Sequence, residues 1–297
     1  MANVKDWIEG ARLRTLPAAI APVLAGTGIA IWMGEGSYVR AGLAAAIALL
    51  FQIGVNFSND YSDGIRGTDD VRTGPPRLTG GGKASPRTVK LAAFGCFGLG
   101  CLAGLVLVAL SGTWWLIAVG ALAVVAAWFY TGGKRPYGYM GMGEIFVFIF
   151  FGLMATAGTT YTQALQVPWQ AWLAACSIGF LACALLMVNN IRDIPTDAVT
   201  GKHTQAVRLG DTKARLAYDA MLLLPFVFAL AYLPALGWPL LVCLFPAAWL
   251  TERNIERMHG LGKQQRTHGL ALIPVLRDTG FIELAYALGL FTAFAIS

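Results

Sequence analysis

Long apolar stretches alternate with short polar punctuation along the chain, and nine of them are candidate membrane spans: 16–33, 41–58, 90–110, 113–131, 144–162, 169–189, 214–233, 236–252 and 279–296. A hydrocarbon core about 30 Å thick takes roughly 20 mostly apolar residues per helix. The runs are continuous rather than alternating residue by residue, which excludes a membrane β-barrel. The pattern predicts an all-α integral membrane protein with nine transmembrane helices in one membrane-embedded domain spanning residues 1–297. The first fifteen residues mix Trp7, Ile8 and Leu13 with Lys5, Arg12 and Arg14 and run straight into the first span. That mixture predicts an interfacial helix over 1–15 rather than a cleaved signal. Segments 59–89 and 190–213 are read as loops capping the bundle.

Composition agrees with lipid as the solvent: 57% of residues are hydrophobic, 13% are charged, and mean hydropathy is +0.61. The pI near 9.2 does not signal nucleic acid, because the basic residues are not clustered on a soluble face. They are sorted by side instead. With an N-terminus in the cytoplasm, every lysine and arginine of the 22 except Arg40 falls in a cytoplasmic segment. Such asymmetry fixes orientation by the positive-inside rule, placing the N-terminus inside and the C-terminus outside, and it supports an odd number of spans. The five cysteines lie in apolar runs without metal-site or disulfide spacing, and the three histidines are far apart, so neither chemistry is expected.

Two acidic groups do not suit a passive membrane protein. The second span runs out into Asn56-Phe57-Ser58-Asn59-Asp60-Tyr61-Ser62-Asp63, and the sixth into Asn189-Asn190-Ile191-Arg192-Asp193-Ile194-Pro195-Thr196-Asp197. Asn56, Asp60 and Asp63 are spaced to stack on one helix face, as are Asn189, Asp193 and Asp197, although Pro195 is expected to bend or end the second helix. Both groups sit at the cytoplasmic end of an even-numbered span, which has the look of an internal duplication. A near-membrane carboxylate costs roughly 2.5–3.5 kcal/mol on insertion scales and usually faces a cavity with a partner. Asparagine and aspartate offer the hard oxygen ligands that Mg²⁺ takes alongside phosphate oxygens. Four carboxylates cannot hold an anionic diphosphate without divalent cations between them. Lys134, Lys202 and Arg208 stand beside glycines or the second acidic group and are the candidate phosphate-binding cations; Arg66, Arg72 and Arg77 follow the first group. Glu144, Asp219 and Glu283, near the starts of outward-running spans, are read as complements to helix dipoles.

Asn59-Asp60-Tyr61-Ser62-Asp63 with Gly67-Thr68-Asp69, and Asn190-Ile191-Arg192-Asp193-Ile194-Pro195-Thr196-Asp197 with Gly201-Lys202, resemble the UbiA superfamily of membrane prenyltransferases. The resemblance runs from Gly10 to Gly280. Many relatives carry an aspartate where this chain has Gly67; the naphthoate branch has glycine there and an acid two residues on, which points to Asp69. The resemblance implies nine helices around a central cavity, capped on the cytoplasmic side by the two acidic segments. It implies Asp60, Asp63, Asp193 and Asp197 as metal ligands, with two or more Mg²⁺ ions and Mn²⁺ as a substitute. Catalysis would rest on these and on Lys134. Asn56, Asn59, Asp69, Asn189, Asn190, Lys202 and Arg208 would contact substrate, and Tyr130 or Tyr139 would shield an allylic cation. The implied partners are a polyprenyl diphosphate, 1,4-dihydroxy-2-naphthoate and the lipid bilayer, and the implied reaction loses diphosphate and CO2 to give demethylmenaquinone. The implied location is a bacterial inner membrane.

Two other readings remain open on sequence. One is the same chemistry on another acceptor, such as 4-hydroxybenzoate. The other is a cation or solute transporter, although transporters hold their ligands near the bilayer midplane on broken helices, whereas these acids sit at span ends. Prenyl length and oligomeric state are not legible.

Overall fold

Polar groups at helix ends decide where each helix starts and stops in the computed structural model, which describes residues 2–67, 77–260 and 266–297. Helix α1, Val4–Ala11, opens on a capping box between Asn3 and Asp6. It is followed by α2, Leu16–Trp32, and α3, Tyr38–Ile65, whose N-cap Ser37 accepts from the Arg40 amide. Helix α4, Pro86–Ser111, begins with Ser85 accepting from the Thr88 amide and ends on Gly112 at φ 72°, a left-handed cap that suits glycine. Then come α5, Leu116–Phe129; α6, Gly143–Ala164; α7, Trp169–Val199; α8, Gln205–Leu236; α9, Pro239–His259; and α10, Ile273–Ala295. Every regular element among the described residues is helical. Helices α2 to α10 correspond one for one to the nine apolar stretches. Among the described residues, six segments are long and apolar enough to cross a membrane; α5 is shorter.

The two helices carrying the acids outrun the loops expected of them. Helix α3 continues to Ile65 and α7 to Val199, straight through Pro195. Segments 59–89 and 190–213 therefore begin as helix. Partners from other segments hold Asn59, Asp60, Asp63 and Asp197 in these last turns, while Arg192 of the same helix holds Asp193. Helix α6 contains a π-helical stretch, Phe148–Ala157, and α8 bends at Gly210, whose φ of 72° lies outside the helical region.

Helix α2 is central and packs against α3, α6, α7 and α10, while α3 pairs with α4, α7 with α8, and α9 with α10. The ring so formed is unequal. Its main apolar core joins α2 to α7–α10, with Ile29, Leu181, Met187, Tyr218, Tyr286 and Leu290 fully buried. The α3–α6 side has only a small cluster of Phe57, Leu78, Val89 and Ala93 beneath α1, and there the bundle is hollow. Outside, Leu99, Leu102, Leu122, Val227 and Phe245 are exposed, as on a lipid-facing surface. Trp114, Trp115, Trp169 and Trp238, also exposed, cluster at the ends of spans away from the acids, as an interfacial belt requires.

Helix α1 has no buried residue. Trp7 sets its ring edge-on to Phe57 at 5.4 Å, and Lys83 pairs with Asp6 and Glu9. The Lys83 ammonium holds the Asp6 carboxyl below its ordinary value, and Asp6 in turn raises Lys83.

One very close helix contact joins α6 to α7. A Cβ on Gly152 would lie 2.5 Å from the Gly179 Cα and 2.8 Å from the Ala175 carbonyl oxygen, both backbone atoms that cannot yield. Gly152→Leu should lower the thermal unfolding midpoint in detergent by an amount equivalent to about 1–3 kcal/mol or more, whereas Gly95→Leu, where a Cβ meets nothing within 4 Å, should leave it unchanged.

Candidate functional site

A cavity of about 400 Å³ occupies the hollow side of the ring. Its wall on α3 runs from Asp63 down to Ala44, about 28 Å at 1.5 Å per residue. The lower lining is apolar or small, with Phe150, Phe151, Met154, Gly104 and Gly120; the polar groups gather at the end formed by the last turns of α3 and α7.

At that end the two acidic motifs converge. Asn56, Asn59 and Asp63 line the cavity from α3, and Asn189, Asn190 and Asp193 from α7. Both aspartates are held by neighbours. Asp63 Oδ1 accepts from the Tyr139 hydroxyl at 2.6 Å, and Oδ2 stands 3.9 Å from Arg77 Nη2. Asp193 is gripped by Arg192, which donates Nε to Oδ1 at 2.7 Å and Nη2 to Oδ2 at 2.6 Å, and also donates to Asn189 Oδ1. Such forked pairs fix direction as well as charge. Asn59 Oδ1 accepts from the Thr131 hydroxyl at 2.8 Å, and Asn190 donates its amide to Glu144 at 3.2 Å, leaving its oxygen to serve the cavity. Lys202 Nζ lies 3.8 Å from Asp197 Oδ1 and 5.3 Å above the Tyr139 ring. Tyr139 thus couples the first motif to the second.

The structure places several of the predicted residues away from the cavity. Asp60 does not face the cavity: its two oxygens accept the backbone amides of Leu78, at 2.9 Å, and Thr79, at 2.8 Å. Asp60 lies at the edge of the face that Asn56 and Asp63 share, and the Leu78 and Thr79 amides draw its carboxylate to the 77–82 segment. Lys134 is exposed and lies outside the lining. Arg208 is also exposed and outside the lining, with Nη2 donating to the Met140 carbonyl at 2.8 Å. Tyr139 is outside the lining, with Arg66 and Lys202 over its ring at 5.4 and 5.3 Å. Asp197 is buried and outside the lining. Asp69 and Arg72 lie outside the described residues. Glu283 is fully buried ten residues into α10, too deep for the dipole role given to it.

The cations that do line the cavity are Lys202, Arg77 and Arg12. Arg77 stood unranked among its neighbours in sequence, and Arg12 read only as an anchor. The available signal for Arg12 was its position in the turn just before the first span; it adopts φ 55°, uncommon outside glycine. Below the acids, Tyr130 and Tyr137 form an aromatic wall, with centroids 5.5 Å apart and Tyr137 stacked on Phe146 at 3.9 Å.

Among the described residues, no three acidic, histidine or cysteine side chains are grouped to hold a metal by themselves. The oxygen set still fits Mg²⁺, which takes one or two protein carboxylates and completes its shell with water and phosphate. Asp63 and Asp193, one from each helix, are such a set; a fourfold carboxylate cage is not.

Residues 19–268 match the model of the UbiA prenyltransferase family. The chain is 49% identical to the 1,4-dihydroxy-2-naphthoate octaprenyltransferase of Mycobacterium tuberculosis, over 99% of this chain and 98% of that protein. It is 40% identical to the enzyme of the same name from Escherichia coli, over 78% and 77% of the two chains. The fold is shared with a UbiA homolog from Archaeoglobus fulgidus bound to DMAPP and Mg²⁺, at TM-score 0.63 and 16% identity over 96% of this chain and 99% of that one. It is also shared with the apo UbiA homolog from Aeropyrum pernix, at TM-score 0.68 and 15% identity over 94% and 97%.

The two neighbouring aspartates of the first motif should separate experimentally. Asp60→Ala strands the buried Leu78 amide, at a cost of about 1–3 kcal/mol, and frees the partly buried Thr79 amide, and should lower the unfolding midpoint. Asp63→Asn should leave that midpoint in place while weakening Mg²⁺ binding in the presence of a non-hydrolysable prenyl diphosphate analogue, about 10–100-fold by isothermal titration.

Proposed function

The chain belongs to the UbiA prenyltransferase family, and from that premise we propose that it transfers a polyprenyl chain from an allylic polyprenyl diphosphate to 1,4-dihydroxy-2-naphthoate. The observation that carries the reading is the convergence of Asp63 and Asp193, from separate helices, at the polar mouth of a long apolar cavity. A diphosphate belongs at that mouth and its hydrocarbon tail in the tunnel. The relatives that match nearly the whole chain are named for this donor and acceptor class.

The residues divide the work by charge. Lys202, Arg77 and Arg12 supply positive charge on the cavity wall for the anionic ends of both substrates. Asp63 and Asp193, with Asn59, Asn189 and Asn190 offering neutral oxygens on the same cavity wall, would hold two or more Mg²⁺ ions, or Mn²⁺ in their place, which would supply the charge neutralisation that a leaving diphosphate needs. Tyr130 and Tyr137 present aromatic surface just below, where an allylic carbon deprived of its C–O bond is stabilised by ring faces. The naphthoate carbon bearing the carboxylate then forms the new C–C bond. Its bond to the carboxylate breaks, CO2 departs, and the released pair restores the ring. No electrons leave in this sequence, so the product is demethylmenaquinone in its hydroquinone form.

The charge asymmetry supports a cytoplasmic N-terminus, an outer C-terminus and an active site facing the cytoplasm of a bacterial inner membrane. On this reading residues 1–297 form one domain, α1 lies in the interface, and the segments after α3 and α7 cap the mouth. The acids stand at helix ends, which disfavours the transporter reading.

Purified protein given octaprenyl diphosphate and Mg²⁺ should convert 1,4-dihydroxy-2-naphthoate to a decarboxylated, prenylated product by mass spectrometry. It should leave 4-hydroxybenzoate unchanged; equal use of both acids would overturn the acceptor assignment. Asp63→Asn and Asp193→Asn should each lower turnover about 10²-fold or more.

A further inference from the structure

Thr15, in the turn between α1 and α2, is the centre of a small polar network on the cavity wall. Its hydroxyl donates to the Arg12 carbonyl at 2.9 Å, so toward its other neighbours it can only accept. Gln52 Nε2 donates to it at 3.0 Å and Asn56 Nδ2 at 3.3 Å. Asn56 Nδ2 also donates to the Ala11 carbonyl at 3.0 Å. Both amides are therefore held with nitrogen toward the turn and oxygen away from it, an orientation that their partners dictate. Among the described residues, no donor reaches Gln52 Oε1 or Asn56 Oδ1.

Gln52 is buried and lines the cavity one helical turn below Asn56. Beyond it the α3 wall consists of Phe51, Ala48, Ile47 and Ala44. Gln52 is thus the deepest polar side chain of α3 in the lining, at the step from polar mouth to apolar tunnel. A carbonyl oxygen held at such a place is costly unless a hydrogen-bond donor meets it. A prenyl tail has no donor to give.

We propose that Gln52 is a specificity-determining residue for the acceptor, its Oε1 receiving the hydrogen of the hydroxyl at position 4 of dihydroxynaphthoate. This rests on the function proposed above. The hydroxyl at position 1 stands beside the carboxylate and bonds to it within the molecule, so the position-4 hydroxyl is the donor left for the protein. In 4-hydroxybenzoate the hydroxyl stands opposite the carboxylate instead, and an oxygen placed for the naphthoate misses it. Asn56, a turn nearer Asp63, lies closer to the cations and the diphosphate; Gln52 lies beyond them, on the organic side. A site built to bond a substrate hydroxyl rejects the analogue without it, because its own buried polar group is then left unpaired.

The test is binding to the full-length protein in detergent, with Mg²⁺ and a non-hydrolysable octaprenyl diphosphate analogue present. Dihydroxynaphthoate and 1-hydroxy-2-naphthoate, which lacks only the position-4 hydroxyl, are each titrated calorimetrically without oxygen. Wild type should bind the first about tenfold or more tightly. Gln52→Met, similar in size but without the carbonyl oxygen, should bring the ratio of the two dissociation constants near one. General damage to the site weakens both ligands alike and leaves the ratio unmoved. Equal affinity of wild type for both ligands, or a wild-type ratio in Gln52→Met, overturns the proposal. If Gln52→Met does not fold, Thr15→Val decides, since it frees the Gln52 amide to turn; its ratio should fall several-fold, and a wild-type ratio there overturns the proposal. Turnover of dihydroxynaphthoate by wild type is measured alongside, and absence of prenylated product overturns the function itself and the acceptor contact with it.

Discussion

A charged or polar group at the edge of a hydrocarbon phase persists only if a protein partner replaces its water. That constraint organises this molecule more than any apolar contact does. The acids at the ends of α3 and α7 persist because each has an assigned neighbour: Asp63 has Tyr139, Asp193 has Arg192, Asp197 has Lys202, and Asp60 has two backbone amides. These partners extend both helices past the point where hydropathy fades, and the extension carries Asp63 and Asp193 over the mouth of the tunnel.

The same constraint operates at the other end. Carbonyls at the C-termini of α4 and α6 would face apolar surroundings, and Arg40 answers them. Between the two polar ends the walls are made mostly of aliphatic, small and aromatic residues. The opposite half of the ring, α7–α10 with α2, is filled solidly by its apolar core. A bundle that packed both halves equally would have no room for a tail, and one hollow on both sides would lack the rigid wall that fixes α7.

Within the mouth, roles separate by direction along the helix. Asn59 and Asp60 are adjacent in sequence yet one lines the cavity and the other anchors the 77–82 segment, because the Leu78 and Thr79 amides draw the Asp60 carboxylate off the edge of the lining face. Asp60 thereby holds the backbone beside Arg77, the cation nearest Asp63. A residue of the acidic motif serves the site by positioning the chain opposite it.

Hydropathy and spacing alone located the apolar helices found among the described residues and the two asparagine–aspartate segments, since these depend on local composition and on periodicity along a helix. Residue identity could not decide which of four aspartates look inward, nor which cations accompany them. Lys134 beside two glycines looked better placed than Arg12 or Arg77, and the fold turned it outward to water. The physical reason is that the direction of a side chain at a helix end is set by partners from distant segments: Leu78 and Thr79 for Asp60, Tyr139 for Asp63, and helix ends about seventy and one hundred and twenty residues away for Arg40. Those separations close only when the ring does.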